Sequence, residues 1–255
     1  MPTKHLSDNA LAVLDSYEHL KIGEKKINTP YFNNRTSNLR GALRVLIGKG
    51  TAQEIIDEAR IIALRDKLEL ENFDEIELVK FLTDHKLGID CSGFVYYILD
   101  AELKTQGKRL KHILSFTSKK ILRRLIARIR NVENTNVLTL HENSIELPLE
   151  QCAPGDMIIS LRGGPQHDYS HVILITSVTT DESGKPLSLE YAHSYHWKSE
   201  GLYTKGIRKG VITIKDTSQT ILEQTWTENG KNGEHNETWQ YLRESQHCCV
   251  CRIKT

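Results

Sequence analysis

Cys91 lies in the stretch GIDCSGFVYY (88–97), between Asp90 and Ser92 and two residues before Gly93. A thiol attacks as its thiolate, so a catalytic cysteine needs surroundings that favour negative charge. A helix start provides them through its unsatisfied N–H groups and its macrodipole. Gly88 interrupts the chain just before, and Phe94, Val95, Ile98 and Leu99 recur at helical spacing. The pattern predicts a helix from Cys91 to about Leu103, with the thiol on its first turn. Buried, inert cysteines are common, however, so the nucleophile reading requires a base.

His171 is the candidate base, because it opens the apolar run SHVILITSV (170–178) after a turn-rich stretch. The runs on either side of DESG (181–184) fold back as a hairpin. A turn centred on Glu182 sets His193 opposite His171. A slip of two residues sets Tyr195 there and His193 on a diagonal, on the same face. His193 is therefore the group expected to orient the imidazole. Regular alternation turns His196 and Glu190 to the other face. Such a set would perform amide hydrolysis through a thioester, starting from a Cys91 thiolate paired with protonated His171.

The elements that position these residues divide the chain. Ser7 caps a helix carrying Ala10, Leu11, Leu14 and Tyr17 on one face, and a second helix is expected over about 39–47. GKG (48–50) ends it. Thr51 with Glu54, and Asn72 with Glu75, form capping-box patterns before two further helices. The second half instead holds short β-branched runs at 156–161, 170–178, 187–195, 210–215, 220–226 and 247–254. Turn residues separate these runs, as between antiparallel strands. Helices followed by strands predict an α+β fold with helices packed on an antiparallel sheet. TENGKNGEHNET (227–238) reads as a polar loop.

Taken together, DCSGFV (90–95), APGDMI (153–158), SHVILI (170–175) and YAHS (191–194) resemble the NlpC family of papain-like cysteine peptidases. The resemblance implies a papain-like core in one catalytic domain spanning 1–255. Cys91 would be the nucleophile, His171 the base and His193 the orienting residue. Asp90, Ser92 and Tyr31, the last in a TPY context, would line the substrate site. The implied substrates are peptides of the bacterial cell wall, and no cofactor is implied. Several features depart from the family pattern. Residues 36–86 and 103–132 read as helical insertions, HVILI lacks the usual glycine after HV, and no wall-binding module is recognisable. The alternatives are an acyltransferase using the same thioester, and a non-catalytic basic binding module.

Segment 103–132 contains ten Lys or Arg and no Asp or Glu. Ile121, Leu122, Leu125, Ile126 and Ile129 recur there at helical spacing, which predicts a helix with an apolar inward face. Its basic face would suit an anionic polymer or surface. The net charge of +1 gives no general attraction to nucleic acid or membrane. No apolar run is long enough to span a bilayer. No leader sequence is visible, so the expectation is a cytoplasmic protein or one released without a cleaved signal, for example by a phage route. The five cysteines, three of them in HCCVCR (247–252), make a poor disulfide framework. Strand alternation turns Cys249 and Cys251 to one side and Cys248 to the other. With no second cysteine pair, the reading is buried thiols and no assigned metal ligand, a metal site being the lesser alternative.

Overall fold

The computed structural model describes residues 1–34, 43–117, 126–163 and 169–255. It shows an α+β fold: among the described residues, four helices of ten or more residues in the first half and a large antiparallel sheet formed mainly by the second. The helices are α1 (Asp8–Glu18), α2 (Ala52–Asp66), α3 (Glu75–Asp84) and α4 (Cys91–Thr105). Ser7 caps α1 by accepting from the Ala10 N–H. Thr51 and Glu54 form the expected capping box on α2. The box on α3 is Asp74 with Glu77, not Asn72 with Glu75, because residues 70–72 are taken up in a separate short turn. Of the helix expected over 39–47, only a 3₁₀ turn at Arg44–Ile47 falls within the described residues.

The strands are β1 (Thr3–His5), β2 (Leu20–Ile22), β3 (Lys25–Ile27), β4 (Ser144–Leu147), β5 (Met157–Gly163), β6 (Tyr169–Thr180), β7 (Pro186–Ser194), β8 (Ile207–Thr213), β9 (Thr225–Glu228), β10 (Lys231–Asn232) and β11 (His247–Ile253). The large sheet runs β10-β9-β8-β7-β6-β5-β11-β4, while β1 pairs with the far half of β6 and β2-β3 is a separate hairpin. The stretch read as a polar loop instead contains the end of β9, β10 and the start of a helix at Glu237–Arg243.

Alternation along the strands separates two apolar faces. Met157, Ile159, Val172, Leu174 and Cys251 share one core with the helical residues Leu14, Ile55, Leu78 and Phe94. Ile158, Ile173, Ile175, Tyr191, Trp226 and Val250 form a second core on the other face, closed by Leu242 of the helix at Glu237–Arg243. Helix α4 thus lies on the first face, and the sheet has no solvent-exposed side at its centre.

The basic segment is described only in part, with a short helix at Leu110–Ile113, helical residues at 126–129 and a further short helix starting at Asn131. Leu110, Leu114 and Val132 are buried, but Ile126 and Ile129 are exposed, so the expected inward stripe fails at both described members. Ile121, Leu122 and Leu125 lie outside the described residues. Among the described residues, no helix is long and apolar enough to cross a membrane.

Candidate functional site

Cys91 is the first residue of α4, and Asp90 is its cap, with Oδ1 accepting from the Gly93 N–H at 2.6 Å. The turn before it is held by close approaches that only glycine permits. Gly48 has φ +74, and a Cβ there would collide with the Phe32 carbonyl. Its own carbonyl accepts from the Asp90 N–H at 2.9 Å. This crossing delivers Lys49 to the helix start. The Lys49 Nζ donates to Asp90 Oδ1 at 2.8 Å, Ser92 Oγ at 2.6 Å and the Thr135 carbonyl at 2.8 Å. All three ammonium donors are used, as burial of a cation demands.

The Cys91 thiol is buried beside this ion pair. Burial, reinforced by the Asp90 charge, pushes its pKa up to about 12. Lys49 and the N–H groups of Val172 and Ser92 act in the opposite direction without overcoming it. A helix start alone therefore does not make the thiolate here, because burial, helped by the capping carboxylate, outweighs the helix dipole. Burial and His193 likewise hold His171 well below the usual histidine range. At neutral pH the resting pair is a thiol and a neutral imidazole, not the expected ion pair.

The structure brings His171 and His193 together, with His171 Nε2 2.9 Å from His193 Nδ1. The register explains how. Leu174 pairs with Ala192, so continuing the ladder places Tyr195 opposite His171 and His193 on the diagonal. This is the two-residue slip of the sequence reading. His196 and Glu190 stay outside the pair: His196 reaches the Gly201 carbonyl, and Glu190 accepts from Ser177.

Beyond His193 lies a residue that the sequence reading missed. Glu228, at the end of β9, accepts from His193 Nε2 at 3.0 Å. Its Oε2 also accepts from Tyr191 Oη at 3.0 Å and Thr238 Oγ1 at 2.9 Å, and Arg208 Nη1 lies 3.5 Å from Oε1. Burial opposes ionisation, but His193, Thr238 and Arg208 together hold the carboxyl down at about 2. Ionised Glu228 is an acceptor only, so His193 Nε2–H donates to it. On the other side of the ring, His193 Nδ1 faces His171 Nε2 at 2.9 Å. The remaining nitrogen of His171, Nδ1, is buried and has no hydrogen-bond partner among the described residues.

The histidines project toward the second apolar face, whereas α4 packs on the first. Cys91 lies at the end of the β6-β7 ladder. There Ser194 Oγ donates to the Ile89 carbonyl at 2.8 Å, and the Val172 N–H is turned toward the Cys91 sulfur. Tyr31 bridges to Ile89, and its ring stacks 5.2 Å from that of Tyr195, which lies 4.9 Å from His171. Trp197 and Tyr241 extend this aromatic wall. A cavity of about 520 Å³ opens before Cys91, lined among others by Asn33, Lys49, Asp90, Ser92, Asn136 and Ser170. Asp90 and Ser92 thus meet the cavity but are engaged by Lys49, while Tyr31 packs on Tyr195 instead of lining it.

Lys49 belongs to the GKG stretch whose local pattern is a helix stop, and nothing local marks its partner at residue 90. Glu228 left a weak signal: it stands two residues after Trp226, so alternation puts a carboxylate on a buried apolar face. No protein-family model, curated protein or solved structure matches this chain.

Proposed function

We propose that the chain is a cysteine-dependent amide hydrolase built on a papain-like core, acting on peptides such as those of the bacterial cell wall. The observation that carries this reading is the buried order His171–His193–Glu228, which leaves a bare imidazole nitrogen next to the residue whose N–H faces Cys91. An orienting carboxylate behind a histidine is the arrangement that holds a general base in one tautomer.

Because the resting pair is neutral, the thiol proton moves to His171 Nδ1 as sulfur attacks the amide carbonyl. The S–C bond forms, the carbonyl electron pair moves to oxygen, and the Cys91 N–H at the helix start is a donor to that oxyanion. His171 then gives its proton to the departing amine. Water attacks the thioester, His171 takes its proton, and that proton returns to the sulfur as the S–C bond breaks. Glu228 stabilises the positive charge that the two imidazoles share in between. The polar cavity wall suits a substrate with many amide and hydroxyl groups.

The test is incubation of wild type and Cys91→Ala with purified cell-wall peptides, with products read by mass. New amine and carboxyl termini formed by wild type alone support the reading. Equal cleavage by Cys91→Ala rejects it. Added amines in the same reaction separate hydrolysis from acyl transfer, which would give amide adducts.

A further inference from the structure

A second group of chemistry-bearing side chains lies away from Cys91, where the helix at Val137–Glu142 crosses the β4-β11 edge. His141 comes from that helix, Glu146 from β4, and His247 and Cys249 from β11. Their ligand atoms all lie within 4.8 Å of one another. Both imidazoles present Nε2 to the same carboxylate oxygen: His247 Nε2 is 2.8 Å and His141 Nε2 3.4 Å from Glu146 Oε1. The Cys249 sulfur is further backed by the buried Cys251 sulfur at 3.1 Å.

We propose that His141, Glu146, His247 and Cys249 form a binding site for a divalent transition metal, with zinc the best fit. Two imidazole nitrogens, one carboxylate oxygen and one thiolate make a four-donor set of the kind zinc takes in tetrahedral geometry. A thiolate with imidazoles disfavours magnesium and calcium, which prefer all-oxygen shells. Tetrahedral zinc places its donors about 3.3–3.8 Å apart, so the cluster closes around an ion by small side-chain shifts. A surface ion pair needs one histidine per carboxylate. Here a second imidazole and a thiol converge as well, from three separate elements. On binding, Cys249 loses its proton to solvent and the sulfur–metal bond forms. The ion would staple the helix at Val137–Glu142 to the sheet, and the first residues of that helix border the cavity before Cys91. The site stands whether or not Cys91 is a nucleophile.

Cobalt(II) is the probe, added to the full chain under reductant. The expected result is one equivalent bound, with intense visible bands of a tetrahedral site and a near-ultraviolet thiolate charge-transfer band, both removed by zinc. His247→Ala should weaken binding at least tenfold; His247 is 44% exposed, so this change leaves the fold intact. Cys249→Ser should lose the charge-transfer band, and Cys91→Ser should keep it. No stoichiometric uptake, affinity within twofold of wild type in His247→Ala, or a band lost in Cys91→Ser but kept in Cys249→Ser would each overturn the assignment.

Discussion

Two clusters in this molecule pair histidines with glutamate, and they differ in burial. His171, His193 and Glu228 are enclosed, with His193 and Glu228 at 0% and 5% side-chain exposure. His141, Glu146 and His247 meet at the sheet edge, with Glu146 and His247 at 53% and 44%. In the enclosed cluster every polar atom of the carboxylate must be satisfied within the protein, so Tyr191, Thr238, Arg208 and His193 fix its charge and direction. The line of contacts from it through His193 ends on His171 Nδ1. At the edge water competes for the same groups, so the side chains are free to exchange partners and to converge on an ion. In the two proposed readings the same residue types would serve proton transfer in one place and ligation in the other, because desolvation decides whether their arrangement is permanent.

The sharpest break of this contrast is chemical. Cys91→Ala should lower amide hydrolysis at least about 10³-fold, read by product mass, with the thermal melt little changed. No edge-cluster substitution should approach that loss. Next in size is removal of a buried charge partner. Glu228→Gln should cost about 3 kcal/mol in urea unfolding, since it removes the buried charge that accepts from His193, Tyr191 and Thr238 while Arg208 keeps its pair with Glu200. Activity should fall with it, by about 10²-fold. Lys49→Met should cost a similar amount, about 3 kcal/mol by the same measurement, through the unpaired Asp90 carboxylate.

The pH responses should separate the two sides as well. Glu228 is held at about 2, below its usual value of 4.5. Its stabilising contribution is therefore complete above about 4.5 and is lost as pH falls toward 2. Unfolding free energy followed from pH 5 to 2 should show this loss in wild type and not in Glu228→Gln. With the Cys91 thiol pushed up to about 12, its iodoacetamide alkylation should keep rising through pH 9. A plateau below pH 7 would instead indicate a preformed thiolate. The smallest effect should be Glu146→Gln without metal, under about 0.5 kcal/mol in the same urea assay.

Much of the framework was legible from local pattern. The Ser7 cap, the Thr51–Glu54 box and the start of α4 at Cys91 follow from a few neighbouring residues, and the structure shows each of them. Strands β5, β6, β7 and β11 follow from their β-branched runs and flanking turns. The capping box placed at Asn72 slipped to Asp74 because both acidic stretches satisfy the same local rule and packing chose between them. The inward stripe of the basic segment failed because periodicity counts apolar residues without knowing what they face. Ile126 and Ile129 recur correctly and still point to solvent.

Local pattern along the chain settles that a cysteine opens a helix, that a histidine opens an apolar strand, and that a hairpin returns His193 near it. These are consequences of spacing and turn chemistry within a few tens of residues. Long-range packing sets the register that puts His193 on the diagonal, the glycine crossing that brings Lys49 to Asp90, and the turn of β9 that sets Glu228 behind His193. It also keeps the thiol protonated at neutral pH. Ionisation depends on burial and on charges that arrive from distant parts of the chain, and neither is written in the residues beside Cys91.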